Sequence, residues 1–365
     1  MFSKPTLILD EAKCRANIKF MVDKAKGLGI AYRPHFKTHQ SAEVGQWFRD
    51  YGVDKIAVSS VPMAQYFADN GWTDITIAFP YVKQQADVLA NLASGVKLQL
   101  VVSSAENAEA LIGTIFQDVN VLIEIDSGQG RTGFQPYDLE GINEVVANLN
   151  ASEHINFMGF LTHAGHSYNI PSKEIEALNL ETTSRFILLR NQYPNAMLSY
   201  GDTPTSIVAS EFMGINELRP GNNAFFDMQQ ASNGICSPQQ IAVGLACPVV
   251  ARYSERNLVA IWGGAVHLSK DFYTDISGNK SFGAICKLQN DGTWSQPIEG
   301  LYLESISQEH GMVRASSTSA MEAIKDDDFL VVLPAHSCLT ADCMGAYWVK
   351  DKGAISTMVQ SGKTR

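Results

Sequence analysis

The sequence predicts an α/β protein in which a (β/α)8 TIM-type barrel comes first and a mostly-β domain follows. Three observations carry this reading. Eight short apolar runs alternate with amphipathic helical stretches between residues 30 and 219, the rhythm of parallel βα units, and eight is the number that closes a barrel. Beyond about residue 240 the texture changes to strand-like runs and turn signals. At 365 residues the chain also exceeds the size at which one core stops growing, so two domains are expected.

The elements follow in order. After the short run Thr6-Leu7-Ile8-Leu9, Asp10 is placed to cap a helix whose apolar positions Ile18, Met21, Val22, Ala25 and Leu28 recur at helical spacing. The eight strand runs fall at 30–34, 55–59, 74–79, 97–102, 119–125, 155–162, 196–200 and 215–219. Between them, 104–116 places Ala105, Ala108, Leu111, Ile112 and Ile115 on one helical face, and a longer helix is expected over 172–192. An open doubly wound sheet is the competing architecture, but no GxGxxG follows the first strand. In the second part, 242–250 and 258–262 flank a polar turn, Asn290-Asp291-Gly292 is a hairpin signal, and 329–333 and 346–349 are further strands. The expected division is a barrel over 10–240 and a β domain formed by 1–9 and 241–365.

Composition excludes several classes. An apolar fraction of 45% and a charged fraction of 18% are ordinary for a globular protein. The formal charge of −10 and the lack of a basic run argue against nucleic acid as a partner. No apolar run approaches a membrane span, and Met1-Phe2-Ser3-Lys4-Pro5 does not lead into a signal-peptide core, so a cytoplasmic protein without a membrane partner is expected. Six cysteines spread over the chain, with no CxxC, form neither a disulfide framework nor a zinc knuckle.

In a βα barrel, function gathers at the carboxyl ends of the strands. Strand one exits into Arg33-Pro34-His35-Phe36-Lys37-Thr38-His39. Burial and the neighbouring histidines and arginine would disfavour the Lys37 ammonium, leaving an amine able to form a Schiff base. Strand five exits into the glycine-rich 126–133, carrying Arg131, and strand six into His163-Ala164-Gly165-His166-Ser167-Tyr168. Strands seven and eight exit into Gly201-Asp202-Thr203-Pro204-Thr205-Ser206 and Arg219-Pro220-Gly221-Asn222-Asn223. Glycines and hydroxyls at these two exits occupy the phosphate position of this barrel class. A Schiff-base lysine and a phosphate cradle across one mouth suit pyridoxal phosphate. In the β domain, Ser307-Gln308-Glu309-His310-Gly311 is either a polar turn or a loop presenting His310. His336 and Cys338, following an apolar strand, would share one face if the strand continued, and imidazole with thiolate is a zinc-preferring pair.

The segments RPHFKTH at 33–39, DSGQGRTGF at 126–134, THAGHSY at 162–168, GDTPTS at 201–206, RPGNN at 219–223, SQEHG at 307–311 and PAHSCLT at 334–340 resemble the motif series of the D-serine dehydratase and D-threonine aldolase family. That family has an alanine racemase-like fold. The resemblance implies that Lys37 carries the cofactor and moves the Cα proton. It places Arg131 near the cofactor's phenolate oxygen, Tyr168 on the cofactor, Gly201, Thr203, Gly221 and Asn222 on the phosphate, and Arg219 at the pyridine nitrogen. His336 and Cys338 match a zinc pair, with manganese as the alternative metal. In the aldolases the second ligand is an aspartate, so Cys338 favours dehydration. The racemases' second-face tyrosine has no counterpart position here, and Asn223 stands where relatives have a tyrosine. The implied function is a pyridoxal phosphate- and metal-dependent lyase acting on a β-hydroxy D-amino acid and releasing a 2-oxo acid and ammonia. Retro-aldol cleavage, racemisation and a non-catalytic pyridoxal phosphate carrier are the alternatives. A homodimer is implied by the same resemblance.

Overall fold

The computed structural model describes residues 2–322, 324–326 and 328–359, so 360–365 of the expected β domain lie outside the described residues. The chain divides into two compact units. Of the described residues, one gathers Lys19–Lys37 and Gly45–Gly221; the other gathers those up to Ile18, Thr38–Val44, and those from Asn222 to 359.

The first unit holds eight parallel strands: β1 (Ala31–Tyr32), β2 (Ile56–Val58), β3 (Asp74–Pro80), β4 (Lys97–Val102), β5 (Val119–Glu124), β6 (Ile155–His163), β7 (Met197–Gly201) and β8 (Glu217–Leu218). All eight expected runs are present, in the order β1-β8-β7-β6-β5-β4-β3-β2. The exit of β1 then pairs with β2: Phe36 N–H donates to Ala57 O at 2.8 Å, and Ala57 N–H to Pro34 O at 2.9 Å. That pairing joins the two ends of the sheet. β1 and β8 are shorter than their apolar runs because each is followed within two residues by a proline, Pro34 or Pro220, which has no N–H for the ladder.

Alternation along the strands fills the interior in layers. Val101, Leu122 and Leu161 form an apolar cluster bordered by Ala78, Met158 and Met197. A polar layer lies toward the amino ends. There Arg33 Nε donates to Glu217 Oε2 at 2.7 Å and Nη1 pairs with Asp74 Oδ1 at 2.6 Å, while Ser199 Oγ donates to Glu217 Oε1 at 2.6 Å. Arg33 and Glu217 are each only 2% exposed, and these bonds compensate two charges taken out of water.

The second unit is a nine-stranded sheet in the order Leu258–Trp262, His310–Ala315, Leu301–Ile306, Gly283–Lys287, Phe329–Pro334, Val243–Tyr253, Thr6–Leu9, Ala346–Val349, Gly353–Ser356. Leu258–Trp262 also pairs with Val243–Tyr253, closing six of these strands into a ring. All pairings are antiparallel except that of Thr6–Leu9 with Ala346–Val349. The Asn290-Asp291-Gly292 signal is a turn: Gln289 N–H donates to Thr293 O at 2.8 Å, and Gly292 sits at φ +83°. Segment 38–44 is fastened into this unit, with Tyr347 Oη donating to His39 O at 2.6 Å and Gln40 Nε2 to Asp342 Oδ1 at 2.9 Å. Among the described residues no helix is long and apolar enough to cross a membrane.

Candidate active site

Lys37 is positioned by its neighbour. The Phe36 ring is fully buried against Phe48, Phe67 and Trp72, with centroids 4.9–5.0 Å away, and tilted or edge-on geometry fixes such a ring. The Phe36 anchor turns Lys37 outward, and Lys37 is exposed. Two parts of the environment expected for Lys37 are therefore corrected. Protein burial does not surround it, because the loop turns after Phe36 instead of continuing the strand. Arg33 is not an uncompensated cation beside it, since its guanidinium is held by Glu217 and Asp74.

Positive charge does gather in this unit, around a residue that the sequence reading left without a role. His163, the last residue of β6, lies 2.9 Å through Nδ1 from Gly201 O. Burial first, and then Lys37, Arg131 and Arg219, together push its imidazole down to about 3, against the hydrogen bond with Gly201 O. Three cations thus act on one neutral ring, with Glu124 Oε1 4.0 Å from Arg131 Nη2 as the acid beside them, and their excess favours a further anion. Arg219 is buried, donates through Nη2 to Thr162 O at 2.7 Å and through Nη1 to Ser199 Oγ, and is lowered to about 10 by burial. Gly201 allows the close approach: a Cβ there would lie 2.8 Å from Arg219 Nη2. Arg131 is presented by a loop folded on Asp126, whose Oδ1 accepts from Gly128 N at 2.9 Å and Gly130 N at 3.0 Å. Gly133 closes that loop at φ +104°, where a Cβ would sit 2.8 Å from Glu124 O.

The exits of β6, β7 and β8 converge. Thr203 N–H donates to Tyr168 Oη at 3.2 Å, and Gly221 N–H donates to Thr203 Oγ1 at 3.4 Å. Tyr168, Thr203 and Gly221 are thus brought together as expected. Asp202, which had no assigned role, accepts from Thr205 N at 2.7 Å and Ser167 Oγ at 3.0 Å. Burial raises its carboxyl to about 6 against the pull of those donors. A cationic barrel mouth with backbone and hydroxyl donors fits an anionic, phosphate-bearing cofactor.

The β unit contains the other predicted residues. Its strand ends at Pro334, His336 follows in extended conformation, and Cys338 lies in the first turn of helix Ser337–Met344. The two side chains meet across a strand-to-helix junction, so strand alternation is not what pairs them. Burial opposes charge on His336, but Asp271 and Cys338 outweigh it and raise the imidazole to about 11. Burial likewise pushes the Cys338 thiol up, and His336, Thr38 and Asn222 bring it below its ordinary value. Thr38 Oγ1 lies 3.3 Å from Cys338 Sγ, and Asn222 Nδ2 donates to the sulfur at 3.5 Å. Asn222, expected at the phosphate, thus turns its side chain to this pair. The buried Asp227 holds it there, accepting from Asn222 Nδ2 at 2.7 Å and from Ser337 N at 3.2 Å. Asp271 Oδ2 stands 2.9 Å from His336 Nδ1. Among the described residues no group of three His, Cys, Asp or Glu side chains forms a metal cage. Imidazole and a thiol drawn toward thiolate are nevertheless a donor set suited to zinc, with further positions left to water or substrate. His310 lies in the tight turn between Leu301–Ile306 and His310–Ala315, where Ser307 N–H donates to His310 O at 2.8 Å, so SQEHG is a hairpin turn.

An eight-stranded barrel with an anion-seeking mouth, and a β unit with a His–Cys pair, together define the class. The model described as the alanine racemase N-terminal domain matches residues 9–229, and that of a putative serine dehydratase domain matches 242–350. The chain belongs to the D-serine dehydratase and D-threonine aldolase family of alanine racemase-like, fold-type III pyridoxal phosphate enzymes. It is 28% identical to the D-threo-3-hydroxyaspartate dehydratase of a Delftia strain, over 94% of this chain and 93% of that protein. The solved structure of that enzyme superposes with a TM-score of 0.88, covering 98% of this chain and 97% of the other at 26% identity. Structures of that enzyme include a histidine-to-alanine variant and a cysteine-to-alanine variant in a metal-free form, at positions two apart. The D-serine dehydratase of Dictyostelium discoideum is 26% identical over 94% of this chain and 92% of its own. A D-threonine aldolase from an Arthrobacter species is 26% identical over 63% of this chain and 62% of its own.

Proposed function

We propose that this chain is a pyridoxal phosphate- and metal-dependent lyase that removes water from a β-hydroxy D-amino acid, giving a 2-oxo acid and ammonia. The observation that carries the reading is the contact of Cys338 with His336, in a unit whose sequence matches the putative serine dehydratase domain. The dehydratases align over nearly the whole chain, and a D-threo-3-hydroxyaspartate dehydratase solved in a metal-free form is a cysteine-to-alanine variant.

Bound as a Schiff base, pyridoxal phosphate supplies the electron sink that acidifies the substrate's Cα, and a metal supplies a Lewis acid at the β-hydroxyl. Lys37 would hold the cofactor, and its amine is the base that would take the Cα proton. Arg131 and Arg219 would orient the cofactor's ring, on the side of its phenolate oxygen and of its pyridine nitrogen respectively. Tyr168 contacts the cofactor, while Gly201, Thr203, Gly221 and the Asn222 backbone hold its phosphate. His163, kept neutral by its surroundings, packs among these cations without adding a charge. His336 and Cys338 hold zinc or manganese. Loss of the Cα proton and the β-hydroxyl makes one water. Hydrolysis of the resulting enamine consumes one water and releases ammonia, so the net change is deamination. A homodimer belongs to the same reading through the family resemblance, and a cytoplasmic location through the lack of a long apolar run in the sequence.

The test is metal removal. Activity on D-serine and on 3-hydroxyaspartate should disappear on chelation and return with zinc or manganese. Turnover undiminished by exhaustive chelation would remove the metal from the mechanism. Cofactor binding without turnover of any β-hydroxy D-amino acid would favour the carrier.

A further inference from the structure

We infer that Asp271 is a positioning residue: it fixes His336 so that Nε2 alone faces a metal shared with Cys338. The inference rests on the reading of His336 and Cys338 as ligands, and assigns a role to a residue 65 positions before His336 in sequence. Asp271 Oδ2 lies 2.9 Å from His336 Nδ1. An ionised carboxylate only accepts, so the proton of a neutral His336 imidazole sits on Nδ1 and its lone pair on Nε2. A carboxylate behind a ligating histidine sets the ring's tautomer and orientation and makes it a more basic ligand.

Two further features show that this carboxylate is placed by the local fold. Ser269, just after helix Ala265–Leu268, adopts φ +69° and ψ −174°, a conformation almost restricted to glycine. That strained turn folds the Ser269 hydroxyl back, where it accepts from Asp271 N at 3.3 Å and donates to Asp271 Oδ2 at 3.3 Å. The same turn is fastened to the helix that carries the ligands: Thr340 Oγ1 lies 3.2 Å from Leu268 O and 3.1 Å from His336 O. Strain at Ser269, the Asp271 carboxylate and the Thr340 clamp thus converge on one imidazole. Asp227 does the corresponding work on the other side, through Asn222 and Ser337.

The experiment titrates cobalt(II) into metal-free protein that holds its cofactor, against a competing chelator, and follows the thiolate-to-cobalt charge-transfer band. Asp271→Ala should weaken cobalt binding ~10- to 100-fold and shift or reduce the band, with cofactor absorbance kept. Asp271→Asn, whose amide oxygen still accepts from Nδ1–H, should restore part of the affinity, and decides the matter if the alanine variant does not fold. Wild-type affinity and an unaltered band in the folded Asp271 variants would overturn the positioning role alone. If the wild type takes up no cobalt, or His336→Ala binds it as tightly, the ligand reading falls and this inference with it.

Discussion

In the proposed reaction the chemistry turns on Lys37 and Cys338, and their surroundings differ. Lys37 is exposed beyond a buried phenylalanine, whereas Cys338 is held by Thr38, Asn222 and His336. Lys37→Ala should abolish the Schiff-base absorbance of protein incubated with pyridoxal phosphate; retention of that absorbance would contradict its assignment. Cys338→Ala should abolish elimination and lower metal content while leaving cofactor absorbance intact, measured by metal analysis and ammonia release on one preparation. Motif spacing made both residues legible, since Lys37 follows a strand and the His-x-Cys pair is local. The partners were not legible. Asp271 and Asp227 lie far from His336 in sequence, and an aspartate in a loop carries no mark of the side chain it will meet. His163 was within a quoted motif, yet its neutral state comes from burial, reinforced by cations on three other loops.

At the scale of elements, the strand-one loop is the decisive piece. Its conformation depends on Phe36 filling a pocket of Phe48, Phe67 and Trp72, with Gly45 leaving only 3.2 Å between a hypothetical Cβ and the Phe36 ring. Phe36→Ala should cost ~3–5 kcal/mol of stability by chemical denaturation and weaken cofactor retention, because the lysine is carried by the next residue. A loss below 1 kcal/mol would mean that the loop is held elsewhere. All eight barrel strands were readable from apolar periodicity, and so was the Asn290-Asp291-Gly292 turn. Two local expectations failed for identifiable reasons. Arg33 points into the barrel because alternation along β1 aims it at Glu217, and His-x-Cys is not a strand pair because the chain enters a helix at Ser337.

For the whole molecule, the chain passes between its compact units at Ile18–Lys19, Lys37–Thr38, Val44–Gly45 and Gly221–Asn222. Titration of buried groups gives a global test. His39 is 1% exposed and is pushed down to about 3 by burial. Unfolding therefore takes up a proton between pH 6.5 and about 3, and this residue's contribution to stability falls with falling pH by up to ~1.4 kcal/mol per unit. Asp202 acts oppositely between about 6 and 3.8, since its folded carboxyl keeps a proton that the unfolded chain releases. Denaturation midpoints should accordingly drop from pH 7 to pH 5, and less steeply in His39→Asn; an equal slope in both proteins would remove His39 as the cause.

The central claim, elimination of water by an enzyme that uses both pyridoxal phosphate and a metal held by His336 and Cys338, is tested most directly by product analysis with D-threonine, pyridoxal phosphate and a zinc or manganese salt. One substrate reports on both lyase reactions. The account predicts 2-oxobutyrate and ammonia in equal amounts; glycine and acetaldehyde would show that the pair serves carbon–carbon cleavage and would contradict it.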